Sequence, residues 1–259
     1  MSNYGVNWGE MSAEFKLKDK KFWSTYPISN LIKGIGLLEF LEETKISKSF
    51  FEKGAADAAP ISDHLCFVCY KGQLGLYSTE LSGIAPTTIN LDSTQLIERK
   101  DPLSLALRND RNKLIIDTTA GLLGDSLRLR SIGFNVLAFE QNFVLQTLIT
   151  EAFQKTKLDR LKFIPQRFSW DVLEKVDEQC VIIYDPYFRK KETSSKPKGK
   201  FQVLRFLDSL EENLRLSDCK RSGLKVLVKR PLKAPQIWKS NLSQSYKGKS
   251  IRYDLYITS

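Results

Sequence analysis

A chain of 259 residues with 40 Lys and Arg against 30 Asp and Glu carries a net charge of +10 and a sequence pI near 9.3, so nucleic acid is the expected partner class. Its single histidine, His64, leaves no means of building a Ser-His-Asp triad or a histidine metal cluster, and no metal is expected. No segment approaches the roughly 18 uninterrupted apolar residues of a membrane span and no signal-peptide pattern opens the chain, so a cytoplasmic protein away from membranes is expected.

Residues 1 to about 60 intersperse Tyr4, Trp8, Phe15, Phe22, Trp23 and Tyr26 with Lys16, Lys18, Lys20 and Lys21. Aromatics among lysines can stack bases, but anchoring an N-terminal arm to the core is the plainer role. Asn30 to Leu41 reads as a short helix weakened by glycines. Leu65–Tyr70 and Leu74–Thr79 read as two strands of a hairpin about Lys71-Gly72. Alternation places Cys66 and Cys69 on opposite strand faces, which argues against a zinc or redox pair, and the four cysteines fit a reduced compartment. Residues 1–100 are therefore expected to form a small N-terminal α+β region.

From Asp101 the pattern changes. Strands are expected at Leu114–Ile116, Val136–Phe139, Leu161–Ile164, Val181–Tyr184, Leu224–Val228 and Ile251–Ile257. Helices are expected at Ser126–Ser131, Phe143–Gln154, Trp170–Val176 and Phe201–Leu216. Strands spaced by helical segments predict a doubly wound, mainly parallel sheet over residues 101–259. Between Phe188 and Gly199 the chain has no apolar residue, which predicts a mobile basic loop.

Open α/β sheets bind ligands at the carboxyl ends of their strands, so the residues that end each strand are the candidate site. The first strand runs into Asp117-Thr-Thr-Ala-Gly-Leu-Leu-Gly-Asp125, a turn with the glycine pair Gly121 and Gly124. About 20 residues on, the second strand ends in Glu140 and Gln141, where a nucleotide-binding sheet places the carboxylate that holds a ribose. The three-glycine dinucleotide fingerprint and the phosphate-loop GK[ST] are missing, which favours S-adenosylmethionine (SAM) over a pyrophosphate cofactor. The third strand end supplies Arg167 and Phe168. Asp117, Thr119, Gly121, Gly124, Asp125, Glu140, Gln141, Arg167, Phe168 and Asp185 are the candidate cofactor contacts.

The fourth strand ends in Asp185-Pro-Tyr-Phe188, similar to the [DN]-P-P-[YF] motif of methyltransferases acting on exocyclic amines of bases. The lone pair of such an amine is delocalised into the ring, and accepting its hydrogens on the Asp185 carboxylate and a backbone carbonyl aims it at the methyl donor. Pro186 stiffens the turn, while Tyr187 or Phe188 can stack on a base drawn out of its helix. Lys190 and Lys191 in the basic loop, with Lys229-Arg230 after the fifth strand, are candidate RNA contacts; for Lys229 and Arg230 an ion pair with Asp254 or another acid of the same rim is equally open.

The chain resembles the RsmJ family of SAM-dependent methyltransferases, which modify the N2 amine of a guanine in 16S rRNA. Beside the turn and the Asp185 segment, the matching stretches are Ala138-Phe-Glu-Gln141, Arg160-Leu-Lys-Phe-Ile164, Val226-Leu-Val-Lys-Arg-Pro231 with Ala234-Pro235, and Arg252-Tyr-Asp-Leu-Tyr256. It departs from the family pattern at Gly124, Tyr187, Arg189 and Arg167-Phe168. The resemblance implies a Rossmann-like class I SAM-dependent methyltransferase sheet, cofactor contacts at Gly124, Asp125, Glu140, Gln141 and Asp185, and 16S rRNA or the small ribosomal subunit as partner. Two other readings stay open: an amino-methyltransferase for another RNA or DNA base, and an inactive RNA-binding module.

Overall fold

The structure, a computed structural model, describes residues 55–62, 65–71, 73–78, 80–81, 84–92, 101–156, 158–176, 179–186, 199–207, 214–239 and 241–259. The expectations for residues 1–54, His64, Tyr187, Phe188, Lys190, Lys191 and the rest of the basic loop lie outside the described residues.

Two sheets carry the fold. The first runs β1 (Ala55–Ser62), β2 (Leu65–Tyr70), β3 (Gln73–Ser78) and β4 (Thr87–Thr88) in that order, all antiparallel. Tyr70 pairs with Gln73, so the β2–β3 hairpin has a two-residue loop, and Lys71 takes the positive φ of 53° that such a turn demands.

The second sheet has seven strands in the order β10-β11-β9-β8-β5-β6-β7. Strands β5 (Leu114–Asp117), β6 (Val136–Phe139), β7 (Leu161–Ile164), β8 (Cys180–Tyr184) and β9 (Lys225–Pro231) are mutually parallel. β11 (Ile251–Ile257) runs antiparallel to β9, and β10 (Leu242–Lys247) antiparallel to β11. β5, β6 and β8 are buried at every position because helices or loops cover both faces of the sheet. Alternate residues divide between two cores: Ile115, Val136, Ala138, Val181, Ile183 and Leu227 face one, and Leu114, Ile116, Leu137, Phe139, Ile182 and Val226 the other.

The first core is closed by three helices and by the small sheet. Helix α1 (Pro102–Ala106) starts on Asp101, whose side chain accepts from the Leu103 and Ser104 N–H groups; α2 is Gly124–Ser131; α3 (Phe143–Lys155) is capped by Asn142 in the same way. Leu65, Leu74, Leu76, Ile89 and Leu91 join this core, so the small sheet packs on the face that carries the helices. The second core is closed by shorter pieces. The expected helix at Trp170–Val176 is a 3-10 helix, Trp170–Lys175, with Val172 and Val176 N–H groups bonding three residues back. The expected helix at Phe201–Leu216 is, in its described part, 3-10 at Gly199–Phe206, which lies not here but on the first core through Val203, and again at Leu216–Asp218, where Leu216 packs on the second. Among the described residues no helix is long and apolar enough to cross a membrane, and no group of His, Cys, Asp or Glu is arranged to hold a metal.

Candidate cofactor and substrate site

The strand order reverses at β5: the chain moves outward through β6 and β7, then returns to β8 on the other flank. Loops leaving β5 and β8 therefore diverge and open a crevice at their carboxyl ends. Thr118 and Thr119 stitch its floor. The Thr118 N–H and hydroxyl both donate to the Ile183 carbonyl, at 2.9 and 3.0 Å, and the Asp185 N–H donates to Thr119 Oγ1 at 2.8 Å. Asp185 thus has its backbone tied to the β5 loop, and Pro186 behind it is buried.

Asp117 ends β5 and is buried, accepting from the Thr119 N–H at 3.1 Å and the Ser126 hydroxyl at 2.6 Å. Burial pushes its carboxyl up to about 7; Ser126 pulls down, while Asp125 and Asp185 add to the rise. Gly121 follows in the left-handed region at φ 55°, and the fully buried Leu123 adopts φ 62° as the cap of α2, a conformation held by its packing. Gly124 opens α2, and a Cβ there would meet nothing within 4 Å.

Glu140, at the end of β6, bends back over this turn. Its two carboxylate oxygens accept from the Gly121 N–H at 2.7 Å and the Asn142 N–H at 2.8 Å. The Gln141 N–H is a third backbone donor to the carboxylate, and of its roughly four lone-pair sites one is left to accept from a ligand hydroxyl. Burial raises its pKa against the three backbone hydrogen bonds. Gln141 beside it is half-buried.

Lys229 is the hinge of the electrostatics. Its ammonium lies 2.8 Å from Asp125 Oδ2 and 3.0 Å from Asp185 Oδ2, bridging the first and fourth strand ends. Asp125 also accepts from Arg128 at 3.1 Å and from the Tyr253 hydroxyl at 2.9 Å. Burial alone would raise the Asp125 pKa, but Lys229 and Arg128 outweigh it and hold the carboxyl below its ordinary value. Asp185 has fewer counter-charges; burial and Asp125 raise it despite Lys229 and Arg230. Burial disfavours the Lys229 cation, but the two carboxylates more than compensate and keep it protonated.

A cavity of about 420 Å³ opens beside this crevice, lined by Thr119, Arg167, Phe168, Trp170, Tyr184 and Arg215 among others. Thr119, Arg167 and Phe168 were expected from sequence; Trp170, Tyr184 and Arg215 were not. The Phe168 ring is wedged edge-on between Phe139 at 5.5 Å and Trp170 at 5.4 Å, which gives the cavity an aromatic wall. Glu140 and Asp185 do not line the cavity, but Thr119 joins the two, its hydroxyl holding Asp185. A cationic, adenine-bearing ligand fits these features: carboxylates at four positions for the cation, an aromatic wall for a flat ring, and no phosphate cradle.

Of the two readings left open for Lys229 and Arg230, an ion pair with acids of the same rim holds for Lys229. Lys229 is engaged by the two carboxylates rather than by Asp254, which pairs with Arg252 at 2.9 Å. Arg230 is only 5% exposed and donates to the Pro235 carbonyl from Nε and NH2, so it is not an outward phosphate contact.

A model of the SAM-dependent methyltransferase family matches residues 93–258. Ribosomal RNA small subunit methyltransferase J of Dechloromonas aromatica is 30% identical over 224 residues, covering 76% of this chain and 90% of that protein. Its namesake in Bdellovibrio bacteriovorus is 34% identical over 152 residues, 55% of this chain and 60% of the relative. Among solved structures, a SAM-dependent methyltransferase from Neisseria gonorrhoeae is similar over 74% of this chain and 81% of its own, at 20% identity and a TM-score of 0.49.

Proposed function

Since this chain belongs to the SAM-dependent methyltransferases, in the family of ribosomal RNA small subunit methyltransferase J, we propose that it methylates the exocyclic N2 amine of a guanine in small-subunit (16S) rRNA, in the cytoplasm. One observation supports the reading most: Asp185 stands beside the β5 turn with its N–H held by Thr119 and its carboxylate held by Lys229.

SAM, when bound, supplies a methyl group already activated by a sulfonium. The remaining work is positioning and proton management by the protein. Phe168 and Trp170 offer a face for the adenine, and Glu140 a remaining acceptor site for the ribose. Asp185, which has fewer counter-charges than Asp125, would favour the sulfonium of bound SAM. Asp185, as carboxylate, accepts one amine hydrogen of the guanine and turns the nitrogen lone pair toward the methyl. The proton that the amine nitrogen gives up on accepting the methyl would pass to the Asp185 carboxylate or to water in the crevice. Lys229 favours the ionised form of Asp185 against burial and Asp125. Tyr187 and Phe188, next in the chain, carry the expectation of stacking on the extruded base.

The test is single-turnover transfer of labelled methyl to small-subunit rRNA, followed by digestion and mass spectrometry. N2-methylguanosine is expected with the parent, and its collapse with Asp185→Asn while SAM affinity holds. A methylated adenosine or cytidine would move the enzyme to another base, and no product on any rRNA form would leave an RNA-binding module.

A further inference from the structure

The segment from Cys219 to Tyr253 holds ten Lys and Arg and no Asp or Glu, which equals the net charge of the whole chain; the remainder, thirty of each sign, is neutral. Six of the ten are engaged or lie near a partner. Lys225 pairs with Asp110, Lys229 with Asp125 and Asp185, and Arg252 with Asp254. Arg230 donates to Pro235, Arg221 to the Val176 carbonyl, and Lys220 lies 3.9 Å from Glu174. Lys233, Lys239, Lys247 and Lys249 are exposed and pair with no carboxylate among the described residues.

Three of those four stand at one place. Tyr184 pairs with Val228, so Asp185 lies level with Lys229; β9 then continues to Pro231, which faces Ile251 of β11, and Arg252 faces Lys247 of β10. The turn after Lys247 and the turn after Pro231 therefore sit at the carboxyl edge of the sheet, about 3–7 Å beyond Asp185 along the strands. Three strand spacings make the lateral distance to β10 about 14 Å. That span suits phosphates flanking a base that reaches Asp185, not the phosphate of the base itself.

Both turns are fixed by the fold. The Gly248 N–H donates to the Ile251 carbonyl at 2.8 Å, and Leu232 to Ser250 at 3.0 Å, tying one turn to the other. The buried Arg252 donates to the carbonyls of Pro231, Leu232 and Ala234 at 3.0, 2.7 and 2.8 Å. Gly248 seats the hairpin on α1: a Cβ there would come within 3.1 Å of the Pro102 ring and 3.2 Å of the Ile251 carbonyl. Lysines on a fixed backbone bind phosphates at lower entropic cost than lysines on a loose loop.

We infer that Lys233, Lys247 and Lys249 form a phosphate-binding edge that grips the rRNA backbone on either side of the target nucleotide. The inference takes its partner from the proposed function, but its test reads binding rather than methylation. Affinity of the full chain for small-subunit rRNA is measured against salt for the parent, for the triple Lys233→Ser, Lys247→Ser, Lys249→Ser variant, and for a Lys175→Ser, Lys220→Ser control remote from this edge. The triple variant is expected to lower the slope of log affinity against log salt by about two to three units and to weaken binding at least about tenfold near 0.1 M salt. SAM affinity and transfer at saturating RNA stay within about twofold, because none of the three lines the crevice. An unchanged slope, or an equal loss in the control, overturns the inference. A lowered slope in a protein that methylates no rRNA keeps the edge and refutes the assignment of the reaction.

Discussion

Replacing Lys229 with Met keeps the length of the side chain and removes the one cation that bridges Asp125 and Asp185. At separations of 2.8 and 3.0 Å and an effective dielectric of about 20, each pair is worth about 5–6 kcal/mol before solvent is counted. The side chains of Lys229 and Asp185 are 24% and 39% exposed, so water screens the second pair and about 1.5–2.5 kcal/mol of it survives. At about 1.4 kcal/mol per pKa unit, the Asp185 pKa should climb by one to two units in the variant. The other charges around it do not replace the lost cation: Asp125 pushes the same way, and Arg230 opposes. Asp185 works as a carboxylate, so a raised pKa removes the active form at low pH. The acid limb of the single-turnover rate should move up by one to two pH units in Lys229→Met, with the rate recovering above it, and Lys229→Arg should bring the limb back. Rates are measured at saturating rRNA and SAM from about pH 5 to about pH 9. A variant whose rate falls by the same factor at every pH would refute the electrostatic role.

Asp117→Asn should change how stability depends on pH. The parent carboxyl titrates near 7 in the fold against an ordinary 3.8, so the fold disfavours the ionised form, and this site costs the parent stability progressively as pH rises from about 4 to about 7. Urea unfolding should show the variant gaining on the parent across that window, by at most about 4 kcal/mol, and holding the gain above it; a difference that is flat with pH refutes this. Glu140→Ala should leave the Gly121 and Asn142 N–H groups without their acceptor, costing about 2–4 kcal/mol of stability and weakening SAM binding at least tenfold by calorimetry. Unchanged SAM affinity would remove Glu140 from the site.

Strands β5, β6 and β8 are the most legible in the sequence because strands buried on both faces are written as unbroken apolar runs such as Leu114-Ile-Ile and Val181-Ile-Ile-Tyr184. The edge strand β10, Leu242-Ser-Gln-Ser-Tyr-Lys247, has no such run, because its partner β11 supplies the apolar residues on one side and solvent lies on the other. The meeting of Asp117, Glu140 and Asp185 follows from the rule that ligands gather at strand ends, which needs only the strand order. The pairing of Lys229 does not, since Asp125 and Asp185 reach it only through the register of β9 against β8. Period-two alternation, however, separates Lys229 from Arg230: Leu227 and Lys229 face the helices and the crevice, while Val226, Val228 and Arg230 face the second core. Two adjacent residues of a strand cannot both look onto one rim, and that signal was present in the sequence.

The most direct measurement is nucleoside analysis of small-subunit rRNA from cells that lack the gene, complemented either with the parent or with Asp185→Asn. The expected result is one N2-methylguanosine that disappears with the gene, returns with the parent and stays absent with the variant. An rRNA whose methylated guanosines are unchanged by loss of the gene, or are restored equally by Asp185→Asn, would contradict the assignment of the reaction to this site.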